Sequence, residues 1–119
     1  MRTVSLIVLL ALWVAACGGA AEPTADLVGT LGGDAQLEGG CAWLDVDVGR
    51  STVEADRVQP SWPQGYRVEF EPVRLVGPDG QVVAEAGDLV MVDGALRPDV
   101  VTVCMVGPVF DATRIHGED

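Results

Sequence analysis

Apolar and polar positions alternate with period two through much of the chain beyond residue 25, the spacing of a strand with one covered and one open face. In Asp26 to Leu31, Leu27 and Leu31 share one face, and Asp26, Val28 and Thr30 the other. In Ala42 to Val48, Ala42, Leu44, Val46 and Val48 oppose Trp43, Asp45 and Asp47. In Tyr66 to Glu71, Tyr66, Val68 and Phe70 oppose Arg67, Glu69 and Glu71. A strand from Val73 to Val76 meets the turn sequence Gly77-Pro78-Asp79-Gly80 and returns as Gln81 to Glu85. Asp88 to Asp93 and Val100 to Val106 are apolar on both faces, which predicts strands covered on two sides. Phe110 to Ile115 completes the set. No stretch of this region has a helical period, and Val, a strong strand former, dominates it. Many short strands punctuated by Gly, Pro and Asp predict an all-β domain, either a small barrel or a small sandwich.

The amino terminus follows another rule. After Met1 and Arg2, residues Thr3 to Ala16 form an apolar run broken only by Thr3 and Ser5. Fourteen residues are too few for a helix that crosses a bilayer core, which takes about 20. The run suits the helix of a cleaved secretory signal. Its last residues, Val14-Ala15-Ala16-Cys17, resemble the bacterial lipobox: an aliphatic residue, two small ones that fit a narrow peptidase cleft, then a cysteine. The resemblance implies that Cys17 is the lipidation site, that residues 1–16 are removed, and that the protein is anchored on the extracytoplasmic face of the cell membrane. Gly18 to Ala25 reads as a flexible tether of at most about 28 Å. The expected organisation is a signal peptide (1–16), a lipidated cysteine and tether (17–25), a β-domain (26–115) and a short tail (116–119).

Gly87-Asp88-Leu89-Val90-Met91-Val92-Asp93-Gly94 resembles the fourth-strand region of OB-fold barrels. There a Gly-Asp corner starts the strand and a later glycine lets it bend. The wider run Gly40-Cys41-Ala42-Trp43-Leu44, Trp62-Pro63-Gln64-Gly65-Tyr66 and Cys104-Met105-Val106-Gly107 resembles small actinobacterial lipoproteins of uncharacterised function. These resemblances imply an OB-like, closed or partly open β-barrel, with a small β-sandwich as the alternative. The sequence departs from the OB pattern in having no helix between the third and fourth strands.

Composition narrows the partners. The 103 residues after the signal hold one core's worth of chain and carry 18 acidic groups against six arginines, a formal charge of −12. Such a balance disfavours nucleic acid and lying flat on an anionic membrane, since both are polyanions. Three cysteines become one pair once Cys17 carries lipid, so Cys41 and Cys104 are expected to form a disulfide in an oxidising exterior.

Candidate chemistry is sparse. His116 is the single histidine and falls in a charged tail expected to fray. No nucleophile elbow, phosphate loop or dinucleotide fingerprint is present, so neither an enzyme nor a cofactor is expected. Trp43, Trp62 and Tyr66, with Arg67, could converge into a platform for a sugar or peptide. Asp45, Asp47, Glu69 and Glu71 could hold a divalent metal if their strands were neighbours. The expected function is a membrane-anchored binding or accessory module for a small ligand or an envelope protein. The alternative is a divalent-cation-binding envelope protein.

Overall fold

The computed structural model describes residues 25–116, and among them it is all-β apart from one short 3-10 turn, η1 (Leu37–Gly39). Eight strands follow in chain order: β1 (Leu27–Asp34), β2 (Cys41–Val46), β3 (Arg57–Ser61), β4 (Arg67–Glu69), β5 (Arg74–Val76), β6 (Val82–Glu85), β7 (Leu89–Arg97) and β8 (Val109–Ile115). Cys17 and the residues that resemble a lipobox lie outside the described residues.

Five strands close into a barrel in the order β1-β2-β3-β8-β7, with β7 pairing back onto β1. All contacts in the ring are antiparallel except β3 with β8, which run parallel from Gln59↔Val109 to Ser61↔Asp111. This is the OB-like barrel expected from the sequence. Where that fold would carry a helix between its third and fourth strands, β4, β5 and β6 form a three-stranded antiparallel sheet. Leu75 and Ala84 of this second sheet join Leu27, Leu31, Leu44, Val58, Val90, Val92, Phe110, Ala112 and Ile115 in one apolar cluster. The two sheets therefore share a core, and the fold keeps something of a sandwich's two-sheet character.

Local chemistry explains the strand limits. The turn Gly77-Pro78-Asp79-Gly80 closes the β5–β6 hairpin, with the Gly80 amide donating to the Gly77 carbonyl at 3.0 Å and the Asp79 carboxylate accepting from the Gln81 amide at 3.0 Å. At the Gly87-Asp88 corner, the Gly87 amide donates to the Leu31 carbonyl at 2.9 Å and the Leu31 amide to the Asp88 carbonyl at 3.0 Å, which seats β7 beside β1. The β7–β8 register then shifts between Asp93 and Gly94. A side chain at Gly94 would overlap the Asp111 carbonyl, so this residue admits the close approach at which β7 bends.

Three readings are corrected. Val100 to Val106 is not a covered strand: it belongs to the loop between β7 and β8, and Val101, Val103 and Met105 are exposed. Its apolar content suggested burial, but Arg97↔Val109 already closes the β7–β8 ladder, and the complete ring offers no free edge for another strand. Conversely, β3 was not expected, since Arg57-Val58-Gln59-Pro60-Ser61 holds little apolar character and a proline. Val58 and Pro60 are nevertheless buried. Gln59 donates its amide to Pro108 on the β8 side, so the nitrogen of Pro60 faces β2, whose pairing with β3 ends at Val58. The missing N–H leaves no ladder bond broken there. Val48, placed by alternation with the inward residues of β2, lies past the strand end and is exposed.

Candidate functional site

Because Leu44 points into the core, its neighbours Trp43 and Asp45 stand on the outer face of β2. Register brings Gly32 of β1 opposite Trp43 and Arg57 of β3 opposite Asp45. Gly32 has no side chain to hold the indole away. A Cβ there would lie 2.6 Å from Trp43 Nε1, so the ring edge rests directly over the β1 backbone. The Arg57 guanidinium stands 4.5 Å from the Trp43 ring centroid and bonds Asp45 through Nε and Oδ1 at 2.7 Å. Both charged side chains are nearly half exposed, so the ion pair contributes at most about 1 kcal/mol, and the cation–π contact a similar amount. Their main effect is orientation: indole, guanidinium and carboxylate hold one another in a fixed, accessible array.

The loop between β7 and β8 borders this face. Thr102 Oγ1 donates to Gln59 Oε1, two residues along β3 from Arg57. Gly107 passes against the Arg57 carbonyl so closely that no side chain would fit. Cys104 is joined to Cys41 at the start of β2, as expected, with Cα atoms 5.9 Å apart. The disulfide thus pins the loop beside the outer surface of β2 and β3.

Of the four residues expected to form a platform, only Trp43 lies on this face. Trp62 and Tyr66 pack against the apolar core in the connection from β3 to β4. Arg67 is on β4 of the second sheet, its Nη2 3.0 Å from Glu69 Oε2. Arg57, Gln59 and Thr102 escaped sequence reasoning because nothing in their local spacing signals proximity to Trp43. The alternation of Val58 and Pro60 was the available clue to β3.

The four metal candidates do not converge. Asp45 and Asp47 are at β2 and its following turn, Glu69 and Glu71 at β4 and the turn after it, and these strands belong to different sheets. Asp45 pairs with Arg57, Asp47 with Arg50 at 3.9 Å, and Glu69 with both Arg67 and Arg74. Among the described residues, no group of three His, Cys, Asp or Glu side chains is disposed to hold a metal ion. Bonds from Arg74 first, then Arg67, hold the Glu69 carboxyl below its ordinary value of 4.5.

His116 is also not where expected. Its Nε2 lies 2.7 Å from Asp93 Oδ2, and its amide donates to the Met91 carbonyl at 2.8 Å. Asp93 Oδ1 in turn accepts from the Asp26 amide, and Asp26 Oδ2 from the Gly94 amide, both at 3.1 Å. The hydrogen bond from His116, helped by the Asp26 amide and opposed by partial desolvation, keeps the Asp93 carboxyl below its ordinary value of 3.8. This network fastens the start of β1, the β7 bend and the end of β8.

Comparison with models of known families, with curated proteins and with solved structures finds no match to this chain. The chemistry of the outer face suits recognition. An indole edge and face offer apolar contact, Arg57 offers donors, and Asp45 and Gln59 offer acceptors, the mixture that a sugar ring or an extended peptide engages.

Proposed function

We propose that the protein is a lipid-anchored, extracytoplasmic binding or accessory module whose recognition surface is the outer face of β1, β2 and β3. The observation that carries this reading is the Trp43–Arg57–Asp45 array. An indole seated on Gly32 and stacked by an arginine is held in place on the outer face of the sheet, part-exposed and outside the apolar core cluster. The lipobox at Cys17 and the short tether support a site working close to a membrane, and the charge of −12 favours neutral or basic partners.

A photo-crosslinking amino acid at Ser61, exposed on β3 beside this face, tests the reading in intact cells. A discrete adduct is expected at Ser61 and not at Val82, exposed on β6 of the second sheet. Adding Trp43→Ala should remove most of it. An adduct indifferent to Trp43→Ala, or none at Ser61, would overturn the assignment of this face.

A further inference from the structure

Nine consecutive residues, Val100 to Pro108, carry no charge. Within them Val101 is 81% exposed, Val103 75% and Met105 77%. Other exposed apolar side chains, such as Val48, Val82 and Leu89, stand singly on separate elements. A concentration of bare apolar side chains on one loop marks an interaction surface.

This exposure is held in place. The Cys41–Cys104 disulfide ties the loop's centre to β2, Thr102 bonds Gln59, and the Pro108 carbonyl accepts from the Gln59 amide at 2.9 Å. Met105 is kept at φ 50°, a left-handed backbone that an unbranched residue adopts at some cost. Leu37, itself exposed, sits beside the disulfide, its carbonyl 3.2 Å from Cys41 Sγ. The apolar side chains are thus presented outward by a braced loop.

We propose that this loop is a membrane-docking wedge, seated at the boundary between headgroups and acyl chains of the bilayer that carries the Cys17 lipid. The inference rests on the lipid-anchor reading. It is the chain's own geometry that selects a membrane as the occupant. Asp26, where the tether ends, is bonded to Asp93 and Gly94 of β7. From Gly94 the strand runs on to the loop's base at Pro98, about 13 Å at 3.3 Å per residue, and the loop's centre, held through Cys104 to Cys41 opposite Asp34, lies at most about 26 Å from Asp26 along β1. A tether of at most about 28 Å therefore keeps the loop within reach of the bilayer. Anchoring makes contact intramolecular in effect, so a loop with weak intrinsic affinity for lipid still docks. Local charge selects the kind of lipid. Asp99 and Asp111 share Arg97 at 3.5 and 3.9 Å and Asp45 faces Arg57, which leaves the loop's surroundings net acidic and makes a zwitterionic rather than an anionic bilayer the surface it enters. Docking would set the Trp43 face at headgroup level, next to whatever it binds there.

The test uses the full-length lipidated protein reconstituted in phosphatidylcholine vesicles, with an environment-sensitive fluorescent amino acid at Val101 or, as control, at Val82. The probe at Val101 should shift to the blue and be quenched several-fold by lipids brominated in their acyl chains, and the probe at Val82 should do neither. Val103→Asp with Met105→Asp, both at exposed positions, should cancel the response at Val101 while the protein stays on the vesicles. A water-like probe at Val101 on protein that remains vesicle-bound would overturn the wedge and leave the anchor standing. If mass spectrometry finds no lipid on Cys17 and the protein does not bind vesicles, the anchor reading fails and the wedge falls with it. A photo-crosslinker at Val101 should form lipid adducts in cells, and a single protein adduct instead would assign the loop to a protein partner and overturn the proposal.

Discussion

A methyl group at Gly94 has no room, because the Asp111 carbonyl of β8 already occupies the space a Cβ would need. Backbone is the obstacle, so no rotamer change can relieve it. Gly94→Ala is expected to lower the unfolding free energy by about 2 kcal/mol or more, while Gly49→Ala, where a methyl meets only ordinary contact, should change it by less than about 0.5 kcal/mol. Urea unfolding of the two variants checks this. Glu69 and Asp93, whose carboxyls are held below their ordinary values of 4.5 and 3.8, link stability to acid pH. The folded chain therefore binds protons less readily than the unfolded one. The stability these groups contribute is full above those ordinary values and is lost as pH falls through the lowered ones. The wild type should lose stability steadily below about pH 4, and Glu69→Gln with Asp93→Asn should be less stable at neutral pH but show a flatter acid profile. A pH series of unfolding midpoints that is equally steep in wild type and double variant would contradict the assignment.

Among elements, those whose pattern and surroundings agree were legible. The β5–β6 hairpin follows from Gly77-Pro78-Asp79-Gly80, and the inward Leu44 and outward Trp43 and Asp45 of β2 follow from simple alternation. The loop from Pro98 to Pro108 and strand β3 were exchanged in apparent character. A strand is defined by its partners as much as by its side chains, and neither segment announces its partners locally. The disulfide couples these elements. It closes a separation of 63 residues, for which the chain-entropy model gives about 4 kcal/mol as an upper value. Non-reducing peptide mapping should find Cys41 linked to Cys104, and Cys41→Ser with Cys104→Ser should cost a few kcal/mol and make the β7–β8 loop a preferred site of proteolysis. Two alkylatable thiols in protein taken from the envelope would refute the pairing.

For the whole molecule, the proposed anchor falls in the chain's first residues and the proposed recognition surface on its folded ring. Cys17→Ser should abolish membrane retention, with the variant moving to the aqueous phase in detergent partitioning, and a variant that still partitions with detergent would remove the anchor from the picture. The domain that follows folds around one core, yet its Trp43 face exists only because β1, β2 and β3 lie side by side, with Arg57 reaching back across the ladder.

Local sequence by itself determined the all-β class, most strand positions and the Gly87–Gly94 corner and bend, because alternation, turn residues and glycine requirements act over a few neighbours. Tertiary structure alone decided that β3 and β8 run parallel to close the ring and that His116 is fastened to Asp93. It also decided that Trp43 meets Arg57 rather than Trp62, Tyr66 and Arg67, and that an apolar segment stays outside the core. Each of these depends on which distant edges remain available once other strands have paired, a competition across the whole chain that no short window of residues contains.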